Sequence, residues 1–410
     1  MTTSAQDISV RMLLRARGPM LFGRAADYRM SCMSRGIVLA FALALILLAL
    51  PARATFYEGL NAYNRQDYRE ALRVWEPLAE QGNPYAQYNI GLIYYEGLGV
   101  EKNDQEAATW WSQAAEQGNI SAQYNLGVLY YAGDGVVRDY VRAAQWFVQA
   151  ATNGRADAQF ALGMMYFHGQ GVRLDHDQAA HWWSQAAEQD HPQAQLSIGL
   201  GYYNGDIIEQ DFSRALRWFT RAAEQGEVDA QYSLASMYFN GQGTDPDPMQ
   251  AARWYKAAAE QGDAQAQYRL GLLYYMGAEG IDIDYDQAYA WQLESAEQGY
   301  PEAQFNIGVM YYNGEGVAKN HRTAMTWYER AAEQGHAPAM SNLGVMYALG
   351  EGAAEDLQRA YMWGQLAARG GNQKGRDLRD YLLQQMPPSQ IEGAENLARE
   401  CLQKNYQNCS

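Results

Sequence analysis

The chain is 410 residues long, 48% hydrophobic and 19% charged, with 31 Lys and Arg against 47 Asp and Glu and a net charge of −16. That balance suits a folded chain and excludes both an acidic disordered tail and the basic footprint of a general nucleic-acid binder. Three Cys exclude a disulfide-dense scaffold and a Cys-rich zinc module, while 39 Gly, 31 Tyr and 11 Trp beside only 10 Phe point to one short pattern used repeatedly.

In chain order, the first feature is an uninterrupted apolar run at 37–50, IVLAFALALILLAL. As a helix it rises about 21 Å, short of the roughly 30 Å hydrocarbon core of a membrane. Arg35 precedes it and Pro51-Ala-Arg-Ala54 follows, with small residues at Ala52 and Ala54. Residues 1–54 therefore read as a secretory signal peptide with an extended positive region, an uncleaved anchor being the alternative. Met30 or Met33 would start a signal of ordinary length. Cleavage after Ala54 removes seven Arg, two Asp and Cys32, which leaves 24 basic and 45 acidic residues and a net charge of −21. The expected product is a periplasmic or secreted chain without an integral membrane segment.

A short unit, 55–82, comes next, and then one pattern returns eight times over 83–371. The segment AQYNIGLIYYEGLGVEKNDQEAATWWSQAAEQG at 86–118 reappears from Ala122 and again from Ala158. A Gly recurs at 91, 127, 163, 199, 271, 308 and 344, with Ala235 in the remaining slot. The step is 36 residues, except for 37 where Ala278-Glu279 lengthens a loop.

Each repeat predicts two helices. In the first, Ala86, Ile90, Ile93, Tyr94 and Gly97 follow three- and four-residue steps, and Gly91 leaves room for a neighbouring helix. Gly97 and Gly99 supply a turn. The second helix begins near Asp104, carries Ala107, Ala108, Trp111, Ala114 and Ala115 on one face, and ends at Gly118. Asp190 takes that Gly's place once, as a residue that tolerates the left-handed conformation. After the repeats, 372–410 predicts a cap for the open end of a repeat array. Leu378, Tyr381, Leu382 and Leu383 suggest one helix, and Ser389 with Glu392 a capping box for another.

The motif A-x-Y-x-L-G-x-x-Y, then G-x-G-V, then A-x-x-W-x-x-x-A-A-E-Q-G, as in Ala122 to Val136 and Ala251 to Gly262, resembles the Sel1-like repeat family, relatives of tetratricopeptide repeats. The resemblance covers about 290 residues. It implies an all-α fold: a right-handed α-solenoid of antiparallel helix pairs, acting mainly as an adaptor for other proteins. Two turns depart from the pattern, Gly205-Asp-Ile-Ile in the fourth repeat and Thr244 in place of Val in the fifth.

No catalytic constellation is visible. There is no G-x-S-x-G, no Cys–His pair and no phosphate-cradling Gly-rich loop after a strand, so neither enzyme nor cofactor is expected. His168, His176, His181 and His191 lack the spacing that would align two of them as metal ligands, and read as separate surface residues. Asp282, Asp284 and Asp286 begin like a calcium loop, but Gln287 and Leu293 stand where Gly and Glu are needed. No metal site is expected. Cys401 and Cys409 either close a small loop in an oxidising compartment, or Cys401 is merely a small buried hydrophobe.

The candidate binding residues form a ladder. One position of the first helix reads Tyr95, Tyr131, Phe167, Tyr203, Phe239, Tyr275 and Tyr312, then Ala348, and His168, Asn204, Asn240 and Asn313 stand one residue further on. By resemblance to tetratricopeptide repeats this position lies toward the concave face of the superhelix. Packed helices lie about 8–10 Å apart, and an extended peptide advances about 3.3 Å per residue, so a peptide would meet a rung about every third residue. The expectation is a scaffold for an unidentified protein or peptide, without nucleic acid. A cell-wall glycan stacking on the rungs is the alternative partner. The bland reading is that these rings fill gaps between repeats.

Overall fold

The computed structural model describes residues 55–409, so the signal-peptide expectation for 1–54 lies outside the described residues. The described residues divide into two compact units, one ending at Gln210 and the other beginning at Asp211. Both are built from helices, with no strand among the described residues.

In the first unit, α1 (55–64) and α2 (Tyr68–Glu80) form the short unit. Then come α3 (Pro84–Glu96), α4 (Asp104–Glu116), α5 (Ile120–Ala132), α6 (Tyr140–Thr152), α7 (Ala156–His168), α8 (His176–Glu188) and α9 (Pro192–Asn204). The second unit holds α10 (Phe212–Glu224), α11 (Val228–Asn240), α12 (Pro248–Glu260), α13 (Ala264–Met276), α14 (Tyr285–Glu297), α15 (Pro301–Asn313), α16 (His321–Ala332), α17 (Ala337–Leu349) and α18 (Leu357–Arg369). It closes with α19 (Gln373–Gln385) and α20 (Pro388–Gln403). From α3 to α18, odd numbers are the first helices of repeats and even numbers the second.

Short-range chemistry sets these boundaries. Asn103, which precedes α4, accepts a hydrogen bond from the Glu106 N–H, and Asp139, Asp175, Asp211, Asp247, Asp284, Asn320 and Asp356 cap the other second helices in the same way. First helices stop at a left-handed Gly, such as Gly97 at φ 68°. Asp190 holds φ 62° in the place of the missing Gly. The longer turn of the sixth repeat folds as a small antiparallel bridge between Ala278 and Ile281.

Packing within a pair depends on the recurrent Gly. A Cβ on Gly91 would lie 2.5 Å from the Trp111 ring, so its absence lets α3 lie against that indole. Trp111 is almost wholly buried, and its Nε1 donates to the Tyr88 carbonyl at 3.0 Å. Phe147 against Gly127 and Tyr328 against Gly308 repeat the arrangement.

Successive pairs are joined by a buried amide. Gln87, Gln123 and Gln159 in the first unit, and Gln231, Gln267 and Gln304 in the second, are 3–5% exposed. Each donates to a carbonyl eight residues earlier, at the end of the preceding second helix, as Gln87 does to Ala79 at 3.0 Å.

The cap differs in detail from the sequence expectation. α20 starts at Pro388 with Pro387 as N-cap, and no side chain caps it. The expected Ser389–Glu392 box does not form, because Pro suits the first helical position and the helix begins before Ser389. In α19 Leu382 is buried and Leu378 half-buried, while Tyr381 and Leu383 face solvent. Ala394, Ala398 and Cys401 pack into a core with Trp363, Leu366 and Met386. A disulfide joins Cys401 to Cys409. The tail it holds reaches back to α16, where Gln407 Nε2 donates to the Glu333 carbonyl at 3.0 Å.

Candidate binding face

The ladder positions sit at the ends of the first helices. In the first unit Tyr131 is buried, and Tyr95, Phe167 and Tyr203 are half-buried. In the second unit Tyr275 and Tyr312 are half-buried, whereas Phe239 is 43% exposed. Asn204, Asn240 and Asn313 are exposed; Asn240 Nδ2 donates to Ser236 Oγ at 3.3 Å and Asn313 Nδ2 to Glu315 Oε2 at 3.1 Å. His168 lies edge-on to Phe167, and burial holds its pKa below the ordinary value.

Five of the rings lean on the second helix of their own repeat. Tyr95 and Phe167 pack on Trp111 and Trp183 at 5.3 and 5.4 Å between centroids. Tyr131 meets Tyr140, Phe167 also stacks on His176, Tyr275 meets Tyr285, and Tyr312 stacks on His321 at 4.8 Å. Lys102 and Lys319 lie over the rings of Tyr95 and Tyr312. The hydroxyls are engaged as well. Tyr131 donates to Gln170 at 2.8 Å, Tyr275 to Glu315 at 2.6 Å and Tyr312 to Glu351 at 2.7 Å, each acceptor lying in the turn of the following repeat. Burial and the Glu315 carboxylate push the Tyr275 hydroxyl up to about 12, so it stays a donor at neutral pH. The rungs therefore tie one repeat to the next. Several of the ring faces are taken.

A second column was missed by sequence reasoning. Asn89 and Asn125 in the first unit, and Asn306 and Asn342 in the second, are half-buried on the first helices. Asn125 lies near the Tyr88 hydroxyl and Asn342 near that of Tyr328. Asn306 Nδ2 is buried without a partner. The signal was present in the sequence, because Asn recurs in A-x-x-N-(Ile/Leu)-G at 89, 125, 306 and 342.

The four His near 168–191 do separate work. His176 stacks on Phe167, His181 pairs with Gln185 at 3.0 Å, and His191 caps α9, its Nδ1 accepting from the Ala194 N–H at 3.3 Å. His191 also lies 3.7 Å from Asp157, which Arg155 pairs at 2.9 Å. Asp284 caps α14 by accepting from the Gln287 N–H. Among the described residues no group of three His, Cys, Asp or Glu is placed to hold a metal ion, and no helix is long and apolar enough to cross a membrane.

Helix pairs at a 36-residue period, locked by Gly–aromatic contacts and buried amides, define a repeat protein of the α-solenoid class. The Sel1 repeat model matches eight consecutive stretches, 84–119, 120–154, 156–191, 192–227, 228–263, 264–300, 301–336 and 337–372, so the chain belongs to the Sel1 repeat family. It is similar to the crystal structure of c5321, a protective antigen of uropathogenic Escherichia coli with an SLR fold. That likeness has 32% identity and a TM-score of 0.60, over 87% of this chain and 85% of that one. A Sel1 repeat protein from Oxalobacter formigenes is 33% identical with a TM-score of 0.58, over 76% of this chain and 89% of that one. No curated protein matches the chain. Proteins of this family generally mediate protein–protein interactions and are generally non-catalytic.

Proposed function

We infer that the protein is a non-catalytic scaffold of the periplasm or the secreted space that binds a partner protein through an extended segment laid across its first helices. The observation that carries this reading is the pair of half-exposed Asn side chains on consecutive first helices in each unit, Asn89 and Asn125, then Asn306 and Asn342. An amide can both donate to and accept from a peptide main chain, which suits recognition that repeats along an extended strand. The location is supported by the apolar run at 37–50 with its Ala52 and Ala54 flank, and by the Cys401–Cys409 disulfide, since such bonds persist in oxidising compartments. Glycan stacking has less support, because a sugar needs an open ring face and those of Tyr95, Phe167 and Tyr312 are covered.

The test is site-specific photo-crosslinking in the native envelope. A photoreactive side chain at Phe239 or Asn313 is expected to capture a partner, and one at Thr109 or Lys256, exposed on second helices, is not. Capture only from the second helices would sink the reading.

A further inference from the structure

The eighth repeat breaks both aromatic columns of the face. Where the three preceding repeats have Tyr232, Tyr268 and Phe305, it has Ser341; where they have Phe239, Tyr275 and Tyr312, it has Ala348. A pocket of about 120 Å³ lies between the seventh and eighth repeats, lined by Tyr312, Tyr328, Asn342, Val345 and Met346. That volume is well below the roughly 300 Å³ or more of a typical small-molecule site and is on the scale of one extended side chain.

The lining selects among side chains. Val345 and Met346 give an apolar wall. Tyr312, whose hydroxyl proton goes to Glu351 at 2.7 Å, leaves its oxygen lone pairs free to accept. Asn342, near the Tyr328 hydroxyl, offers an amide that can both donate and accept. Glu351 is held in place by Tyr312 and pairs with no basic side chain among the described residues. Lys319 Nζ stands 5.6 Å from the centre of the Tyr312 ring, so the chain's own nearest cation already borders this spot.

The geometry points to a lysine-anchoring pocket: the ε-ammonium of a lysine on an extended partner segment enters beside Tyr312 and Asn342, with Glu351 as its counter-ion. The methylene stem lies on Val345 and Met346, as long basic side chains commonly lie on apolar surface. The net charge of −21 after signal cleavage favours the approach of such a segment. This inference rests on the peptide-binding reading above and adds the chemistry of its anchor.

The experiment selects twelve-residue peptides from a displayed random library on the protein from residue 55, and measures the selected peptides by fluorescence anisotropy. One position should be fixed as lysine. Its replacement by norleucine should weaken binding by about tenfold, the loss expected for a charge-assisted contact. Glu351→Gln keeps an acceptor for the Tyr312 hydroxyl and removes the charge; it should cause the same loss, and norleucine should then cost nothing more. Lys319→Ala should tighten binding by removing a competing cation, and thermal melts check that both variants fold. If peptides bind but tolerate norleucine, or are indifferent to Glu351→Gln, the pocket assignment fails and the peptide reading stands. Weaker binding by Lys319→Ala shows that the pocket takes an anion and overturns the assignment. Failure to select any peptide overturns both.

Discussion

The buried Gln, carried by seven of the eight repeats and replaced by Met340 in the eighth, makes a quantitative prediction in the second repeat, where its partner is wrong. Gln117, Gln189, Gln261, Gln298 and Gln334, from the A-E-Q-G motif, donate to the buried Gln of their own repeat at 2.7–2.9 Å. In the second repeat that residue is Asn153. Its shorter side chain turns back to the Gln149 carbonyl at 2.9 Å, and Gln123 Oε1 is left buried without a partner. Asn153→Gln supplies the missing donor. Satisfying a buried acceptor returns about 1–3 kcal/mol. Ordering the longer side chain takes back up to about 1 kcal/mol. Asn153 has φ −84°, so no left-handed advantage of Asn is lost. The net expectation is a gain of about 1–2 kcal/mol, a rise in melting temperature on the order of 3 °C. Urea unfolding and calorimetry of Asn153→Gln measure it, and Gln123→Met in the same chain is the control, because it removes the acceptor. An unchanged midpoint in Asn153→Gln, or an equal gain with Met at 123, would refute the reasoning.

Three further outcomes follow from the packing. Gly91→Ala puts a methyl 2.5 Å from the Trp111 ring, and should cost about 1–3 kcal/mol net of Ala's better helix propensity; Ala235→Gly, at the equivalent place, should cost only about 1 kcal/mol in urea unfolding. His191 and His336 each cap a first helix through Nδ1, and burial holds both pKa values below the ordinary value against the opposing pull of Asp157 and Glu302. The unfolded chain therefore takes up these protons first, so the stability they contribute is complete above about pH 6.5 and is lost as pH falls below it; the urea midpoint should drop between pH 7.5 and 5.5, and less steeply in His191→Asn/His336→Asn. Reduction of Cys401–Cys409 should raise hydrogen exchange in 404–408, where Asn408 N donates to Glu333 Oε1, while α3 to α9 exchange as before.

Much of the fold was legible because its determinants are local. Asp247 before Pro248 announces a helix start, Gly97 a helix stop, and Gly91 a close approach, each within a few residues of the effect. The capping box at Ser389 misled because a residue two positions earlier, Pro387, claimed the N-cap. The binding face was harder to read. Five of the seven rungs are Tyr, and the hydroxyls of Tyr131, Tyr275 and Tyr312 end on residues 39 or 40 positions away. The Asn column stood in the sequence as plainly as the Tyr column, but Asn125 and Asn342 come near the Tyr88 and Tyr328 hydroxyls only across two different helices.

By itself the sequence determined the period, the helix pairs and their ends, since a hydrogen bond to the fourth residue or a cap to the third involves only neighbours in the chain. Tertiary structure decided which rings serve the scaffold, which amides remain half-exposed, and where the eighth repeat leaves a pocket. Those depend on contacts one full repeat apart, and the sign of each, tie or vacancy, is fixed only when two helices lie side by side.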